Sequence, residues 1–429
     1  VGIAGEPAYQ AFNAKYWDEN FAREFDRYTS GDPDFPSLVE YVASVTARDD
    51  VTPDNVWSAW AGLESDDQSA FLTQLQPEDR ITFQSFTGLV DTVVDYVALV
   101  TGQEPRDPTD SVVAYLALAA DSQRPLVQDY FFRELRDSGR EANLGEDLGF
   151  RRGQDAIATL FPEARQFAGD LSLAFSRIYT LDGGDITLLA PGGLVNVGLA
   201  RAPEGCVECA NKQPSDLGIV TQGPGDVRIF ADDDILVNQS RVFTLKGGDI
   251  VMWSSNGDID AGRGSKSAIS APPPTITVSP DGVVSLAFSD AIAGSGIRGI
   301  ITDASIEPGD VDLVAPTGTV NAGDAGIGAA GNLNIAAPQV VGLDNIQVGG
   351  LSTGVPTDSG GIASSLTGVS SLGSSAAEGA TDAVGNAAGG EAPMADEAMG
   401  WLDVFVEGFG TGKEEEDEEE KAKRRKKDQ

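Results

Sequence analysis

The chain contains no histidine. That absence removes the Ser-His-Asp triad, the Cys-His pair, the HExxH zinc site and any imidazole general base, leaving only chemistry built on carboxylates or Lys. Cysteine is nearly missing as well: Cys206 and Cys209 form a lone CxxC. No disulfide framework and no four-ligand zinc site can be assembled from that pair. A thioredoxin-like redox role is one reading of it. Pro203, Glu204 and Gly205 put the pair in a loop without a βαβ context, which favours a local staple or free thiols. Positive charge is scarce, with 29 Lys and Arg against 67 Asp and Glu for a net charge of −38. Such a surface repels phosphates and anionic headgroups, which argues against nucleic acid as a partner. The acidic excess fits solubility, calcium or salty surroundings, and charge balance does not choose among them. Long apolar runs are also lacking: residues 89–101 are interrupted by Asp91 and Asp95, short of the roughly 20 residues a membrane helix needs, so no membrane-spanning segment is expected. The first residue is Val and no basic-then-apolar leader follows, so we read the sequence as a fragment or processed product whose export signal lies upstream.

What is present falls into two textures. Most aromatics precede residue 180, and most of the 51 glycines and 22 prolines follow it, which sets a boundary near residue 176. In residues 6–30, Trp17, Phe21, Phe25 and Tyr28 recur at helical spacing and predict an amphipathic helix ending near Gly31. Residues 37–46, 54–62, 66–75, 83–100 and 110–120 predict further helices. Pro125 suits a first helical turn, Val127, Phe131 and Leu135 form one stripe, and Gly139 suits a C-cap. Arg133, Arg136, Arg140, Arg151 and Arg152 lie among Glu134, Asp137, Glu141, Glu146 and Asp147, which reads as a solvated salt-bridge face in preference to a dock for an acidic partner.

From Leu171 onward short β-branched runs alternate with Gly, Asp and Pro. Gly184-Asp185-Ile186, Gly225-Asp226-Val227, Gly248-Asp249-Ile250 and Gly309-Asp310-Val311 each precede, by eleven or twelve residues, Asn196, Asn238, Asp260 and Asn321. The Asp positions and the equivalent Asn332 are 41, 23, 61 and 22 residues apart, near two, one, three and one multiples of a period of about 21. One coil of a right-handed parallel β-helix per period accounts for this, predicting roughly eight coils over about 40 Å. Asn196, Asn238, Asp260 and Asn321 are read as a stacked turn ladder in preference to ligands. Calcium-binding nonapeptide repeats are not matched, because tandem GGxGxDxUx is missing. Pro272, Pro273 and Pro274 cannot continue a central ladder and are expected in an ejected loop. A solenoid needs covered ends, so the helices are expected to cap one of them.

The stretch Phe167-Ala168-Gly169-Asp170-Leu171-Ser172-Leu173, with Gly183-Gly184-Asp185-Ile186 and Pro191-Gly192-Gly193-Leu194-Val195-Asn196-Val197-Gly198, resembles large filamentous-haemagglutinin-type exoproteins. So does Ser240-Arg241-Val242-Phe243-Thr244-Leu245, with Gly247-Gly248-Asp249-Ile250 and Trp253-Ser254-Ser255-Asn256-Gly257-Asp258-Ile259-Asp260. The likeness is to a conserved C-terminal region of unknown function, covers residues 5–350 and is most specific over 167–266. It implies a secreted or surface-displayed adhesin exported by two-partner secretion. Its partners would be an outer-membrane transporter during export, then receptors or glycans on host or neighbouring cells. The family pattern transfers no catalytic residue.

The fold expected is α+β multidomain: a helical region (1–166), a parallel β-helix (167–350), a Gly/Ser/Ala-rich linker (351–400), and a short apolar island with a charged disordered tail (401–429). No catalytic, cofactor-binding or metal-ligating residue is assigned, and no enzyme activity is expected. The main alternative is a carbohydrate-active β-helix enzyme, a polysaccharide lyase or hydrolase, built on Asp232, Asp233 and Asp234 with Arg228 and Arg241. A delivery scaffold carrying a C-terminal effector is disfavoured by the composition after residue 350.

Overall fold

The computed structural model describes residues 7–29, 35–103, 107–145, 149–162, 167–174, 176–198, 217–263, 275–278, 284–287, 294–302 and 305–356. Among these, the first part is helical: α1 (Tyr9–Phe12), a π-helical segment (Asn13–Asn20), α2 (Phe21–Thr29), α3 (Leu38–Thr46), α4 (Val56–Ala61), α5 (Ser65–Leu72), α6 (Pro77–Thr101), α7 (Pro108–Leu116), α8 (Ala120–Ala142) and α9 (Arg151–Leu160). Ser37 caps α3 by accepting from the Glu40 N–H, and Asp107 caps α7 by accepting from the Asp110 N–H. Rings from the first turns interlock at the centre: Trp17 meets Tyr130 edge-on at 5.1 Å, and Phe21 lies 4.8 Å from Phe86. Helix α6 is apolar and long enough to cross a membrane by length and composition, which the short interrupted run did not suggest. Its Phe83, Phe86, Leu89, Val90, Val93 and Val97 are buried, as in a core helix.

The strands then wind into three parallel sheets of six, so the solenoid has six coils among the described residues. Coil 1 holds β1 (Leu171–Ser172), β2 (Arg177–Thr180) and β3 (Ile186–Ala190); coil 2 holds β4 (Val195–Asn196), β5 (Gly218–Thr221) and β6 (Val227–Ala231). Coil 3 comprises β7 (Ile235–Leu236), β8 (Arg241–Thr244) and β9 (Ile250–Ser254). In coil 4, β10 (Ile259–Asp260) is followed by an antiparallel hairpin, β11 (Thr275–Val278) with β12 (Val284–Ala287), before β13 (Gly296–Gly299) and β14 (Val311–Val314) close the turn. Coil 5 is β15 (Thr319–Asn321), β16 (Ile327–Ala329) and β17 (Leu333–Ala336). Coil 6 is β18 (Gln339–Val341), β19 (Ile346–Val348) and β20 (Ser352–Thr353). Inward side chains such as Ile186, Val227, Ile250, Val311 and Leu333 stack in register into one apolar column.

Six coils replace the expected eight, giving a stack of five steps, about 24 Å at ~4.8 Å each. Spacings of 41 and 61 residues were counted as two and three periods. Each is a single coil carrying an insertion, between Gly198 and Leu217 in coil 2 and around the hairpin in coil 4. Cys206, Cys209, the three prolines and residues 357–429, with most of the linker and all of the tail, lie outside the described residues.

The helices do not cap an end of the stack. They lie along the outward face of the third sheet, β3-β6-β9-β14-β17-β20. That face carries a second column, Leu189, Phe230, Trp253, Val314 and Ala336, which packs into the helical core. Such strands are buried on both faces, the pattern of a covered parallel sheet. Helix α8 runs across the coils: Phe131 meets Phe230 at 5.5 Å, Gly139 abuts Val314, and Asn143 donates to Asn334 Oδ1 and the Ile335 carbonyl at 2.8 and 3.0 Å. Gly139 is therefore an interior position where a side chain would strike the sheet, not a C-cap. Likewise α8 starts at Ala120, five residues before Pro125.

Four of the five clustered arginines, Arg133, Arg136, Arg140 and Arg152, form a largely buried network instead of a solvated face, whereas Arg151 is exposed and Glu146 and Asp147 lie outside the described residues. Arg152, on the unexpected helix α9, bonds Glu134 (2.8 Å), Asp137 (3.1 Å) and Glu141 (2.6 Å). Burial raises the Glu134 carboxyl pKa, whereas at Asp137 burial is outweighed by Arg136 and Arg152, which hold the pKa low. Arg140 reaches the solenoid and grips Asp312 with two bonds, 2.9 and 2.8 Å.

Candidate functional site

The recurrent Gly-Asp step has a mechanical explanation. Each Asp sits at the corner leading into the third sheet, and its Oδ1 accepts the backbone N–H of the equivalent residue one coil on. Asp185 accepts from Asp226 (2.9 Å), Asp226 from Asp249 (2.9 Å), Asp249 from Asp310 (2.8 Å), Asp310 from Asn332 (2.8 Å), and Asn332 from Leu351 (2.9 Å). The preceding residue must be Gly, because a Cβ on Gly225, Gly248 or Gly309 would collide with the glycine carbonyl of the coil before it. Corners contain backbone groups that the sheets do not pair, and the side-chain column satisfies them.

The second carboxylate oxygens face α8. Asp185 and Asp226 share Arg228, which also reaches Asp129 of α8, and Asp310 pairs with Arg140. No ion pair holds Asp249 among the described residues; burial first, then the nearby Asp226, pushes its pKa up to about 6.

The enzyme alternative required Asp232, Asp233 and Asp234 to converge with Arg228 and Arg241. The structure separates them. The three acids form the turn between β6 and β7, where Asp232 accepts from Asn256 (2.9 Å) and Asp234 from the Asp258 N–H (2.8 Å). Arg228 points to α8 from the third sheet. Arg241, 3% exposed on β8 in another sheet, bonds the Tyr179 hydroxyl at 2.6 Å and lies over the Tyr179 and Phe243 rings.

The expected Asn ladder is also re-read. Asn196, Asp260 and Asn321 do align, but each accepts from its own chain two residues on, at Gly198, Gly262 and Gly323, so the column is a stack of Asx turns. Leu236 holds the aligned place in coil 3, while Asn238, two residues later with φ 58°, donates to Asn196 Oδ1 at 3.2 Å. The Asp column is the continuous ladder, and the Gly-Asp spacing was its signal.

Residues 247–357, spanning β9 to β20, match a family model described as filamentous haemagglutinin family outer membrane protein. This segment is a filamentous haemagglutinin family domain. It contains the last part of the Asp column and the coils under the C-terminal half of α8. The motifs before residue 247 that suggested the same family lie outside the matched segment. No curated protein and no solved structure matches the chain. The family's description as an outer membrane protein family points to the cell surface.

Proposed function

We propose that the chain is part of a secreted or surface-displayed filamentous adhesin, exported by two-partner secretion, with a structural and adhesive role and no catalysis. The observation that carries this reading is the use of carboxylates. Asp185, Asp226, Asp249 and Asp310 repeat coil after coil as acceptors for backbone N–H groups, whereas catalysis gathers such groups once, around one substrate. Divisions at 1–166, 167–350, 351–400 and 401–429 belong to the same reading, with the final strand reaching just past residue 350.

Export by this route needs an unfolded chain and a dedicated outer-membrane transporter. A short-range pair such as Cys206 and Cys209 closes no long loop, and coils add by stacking on their neighbours without an energy source. Outside the cell, receptors or glycans on host or neighbouring cells are the partners. The test is deletion of the parent gene and, separately, of its transporter gene. Both should reduce attachment, and the second should leave the protein inside the outer membrane. Unchanged attachment removes the adhesive role. Turnover of an acidic polysaccharide, abolished by Asp233→Ala with the fold intact, replaces it with the enzymatic one.

A further inference from the structure

A cavity of about 250 Å³ opens among α2, α6, α8 and α9, away from the solenoid columns. It is smaller than pockets for drug-sized ligands, which start at about 300 Å³, and suits a single ring. Its rim includes Asn20, the last residue of the eight-residue π-helical segment, a geometry found preferentially at functional sites.

The charges around it are already matched. At the floor Arg152 is held by Glu134, Asp137 and Glu141, and at the mouth Glu24 faces Arg23 at 3.3 Å and Arg27 at 3.8 Å. A charged ligand would strip a buried partner and strand its counter-charge. What remains free is hydrogen-bonding capacity of both kinds. The Tyr130 side chain is 4% exposed with its ring clamped by Phe12, Tyr16 and Trp17. Its hydroxyl makes no hydrogen bond to the described residues and remains a donor, because burial raises its pKa. The carboxylates retain spare lone pairs, the Asn20 amide lies at the rim with its N–H groups as donors while its Oδ1 accepts from Arg23 at 3.0 Å, and Phe86 and Leu89 supply an apolar wall.

We propose that this cavity binds a small neutral polyhydroxylated ring, one sugar residue in size, with its hydroxyls toward Tyr130, Glu134 and Asn20 and its C–H face toward Phe86. A ring of this kind both donates and accepts on its edge and is apolar on its face, which is the division the walls present.

The test uses the whole chain, with D-glucose, D-galactose and N-acetyl-D-glucosamine as neutral probes and D-glucuronate as the charged one, read by saturation-transfer NMR and titration calorimetry. At least one neutral sugar should bind, and glucuronate more weakly. Tyr130→Phe, which keeps the packed ring, should weaken binding about three- to tenfold, the effect of one lost hydrogen bond. Asn20→Ala should weaken it in the same direction, with the melting transition of both variants unchanged. Absence of binding by all neutral probes at tens of millimolar, preference for glucuronate, or an unchanged affinity in Tyr130→Phe overturns the proposal. The binding is read on purified protein, so it stands or falls separately from the attachment of cells.

Discussion

Asp249→Asn tests the account of the corner column most directly. Asp249 uses Oδ1 to accept the Asp310 N–H, while no arginine pairs with its other oxygen among the described residues. Asn keeps an acceptor in the same place, as Asn332 does two coils further on by accepting from Leu351. The substitution therefore deletes a charge and preserves the ladder. In the folded chain the pKa rises from 3.8 to about 6, burial contributing most and Asp226 next. A carboxyl whose folded pKa is raised contributes stability that is fully present below about pH 4 and is lost as pH climbs through about 6. The two-unit shift corresponds to at most about 3 kcal/mol at neutral pH, and partial exposure of the side chain reduces this toward about 1–2 kcal/mol. Urea denaturation of both proteins from pH 4 to 8 should show the variant more stable at pH 7.5, with the difference shrinking toward zero at pH 4. A variant less stable at pH 7.5, or one whose gain does not vary with pH, refutes the reasoning.

Arg140→Leu strands the Asp312 carboxylate, which is 1% exposed, and should cost about 3–5 kcal/mol in urea unfolding. Gly139→Ala drives a methyl into Val314 and should cost about 1–3 kcal/mol, while Gly145→Ala, with nothing near its Cβ, serves as the neutral control in the same thermal melt. Deleting residues 264–293 leaves 261–263 and 294–295 between β10 and β13, five residues, the span that joins the first and second strands of coil 5; it should lower the strand signal in far-ultraviolet circular dichroism only by the eight residues of the hairpin, because β10 and β13 pair with coils on both sides.

The order helices-then-solenoid was legible because two periodicities, one of 3.6 residues and one of a whole coil, occupy different halves of the sequence. Gly-Asp repeats located the corners correctly, since both residues answer to the neighbouring coil: the Gly to its carbonyl and the Asp to its N–H. The coil count was not legible, because an insertion near a whole multiple of the period is indistinguishable from extra coils. The placement of the helices was missed for a different reason. Ile250-Val251-Met252-Trp253 is apolar on both faces, a sign that the sheet is covered, yet an uninterrupted apolar run reads equally as a strand whose neighbours are unknown. With the covered face unrecognised, the sequence groups Arg140 with the acids around it and Arg228 with Asp232, Asp233 and Asp234, and leaves Asp312 and Asp129 unforeseen as their partners. The cavity left no sequence signal, since Asn20, Tyr130 and Arg152 come from three separate stretches of chain.

The helix laid across the coils changes how the molecule answers to force. A bare stack under tension can peel, one turn of chain at a time, each turn held only by its neighbour. Here α8 grips from coil 2, through Phe131 on Phe230 and Asp129 on Arg228, to coil 6, where Asn143 touches Gly354. In coil 1 Leu189 of β3 still packs into the helical core, so a pull along the stack would loosen β1 and β2 first. The rest is spliced like a broken limb to a rod, and must shear its whole aromatic seam, including Trp253 against Phe150, before any single turn can leave.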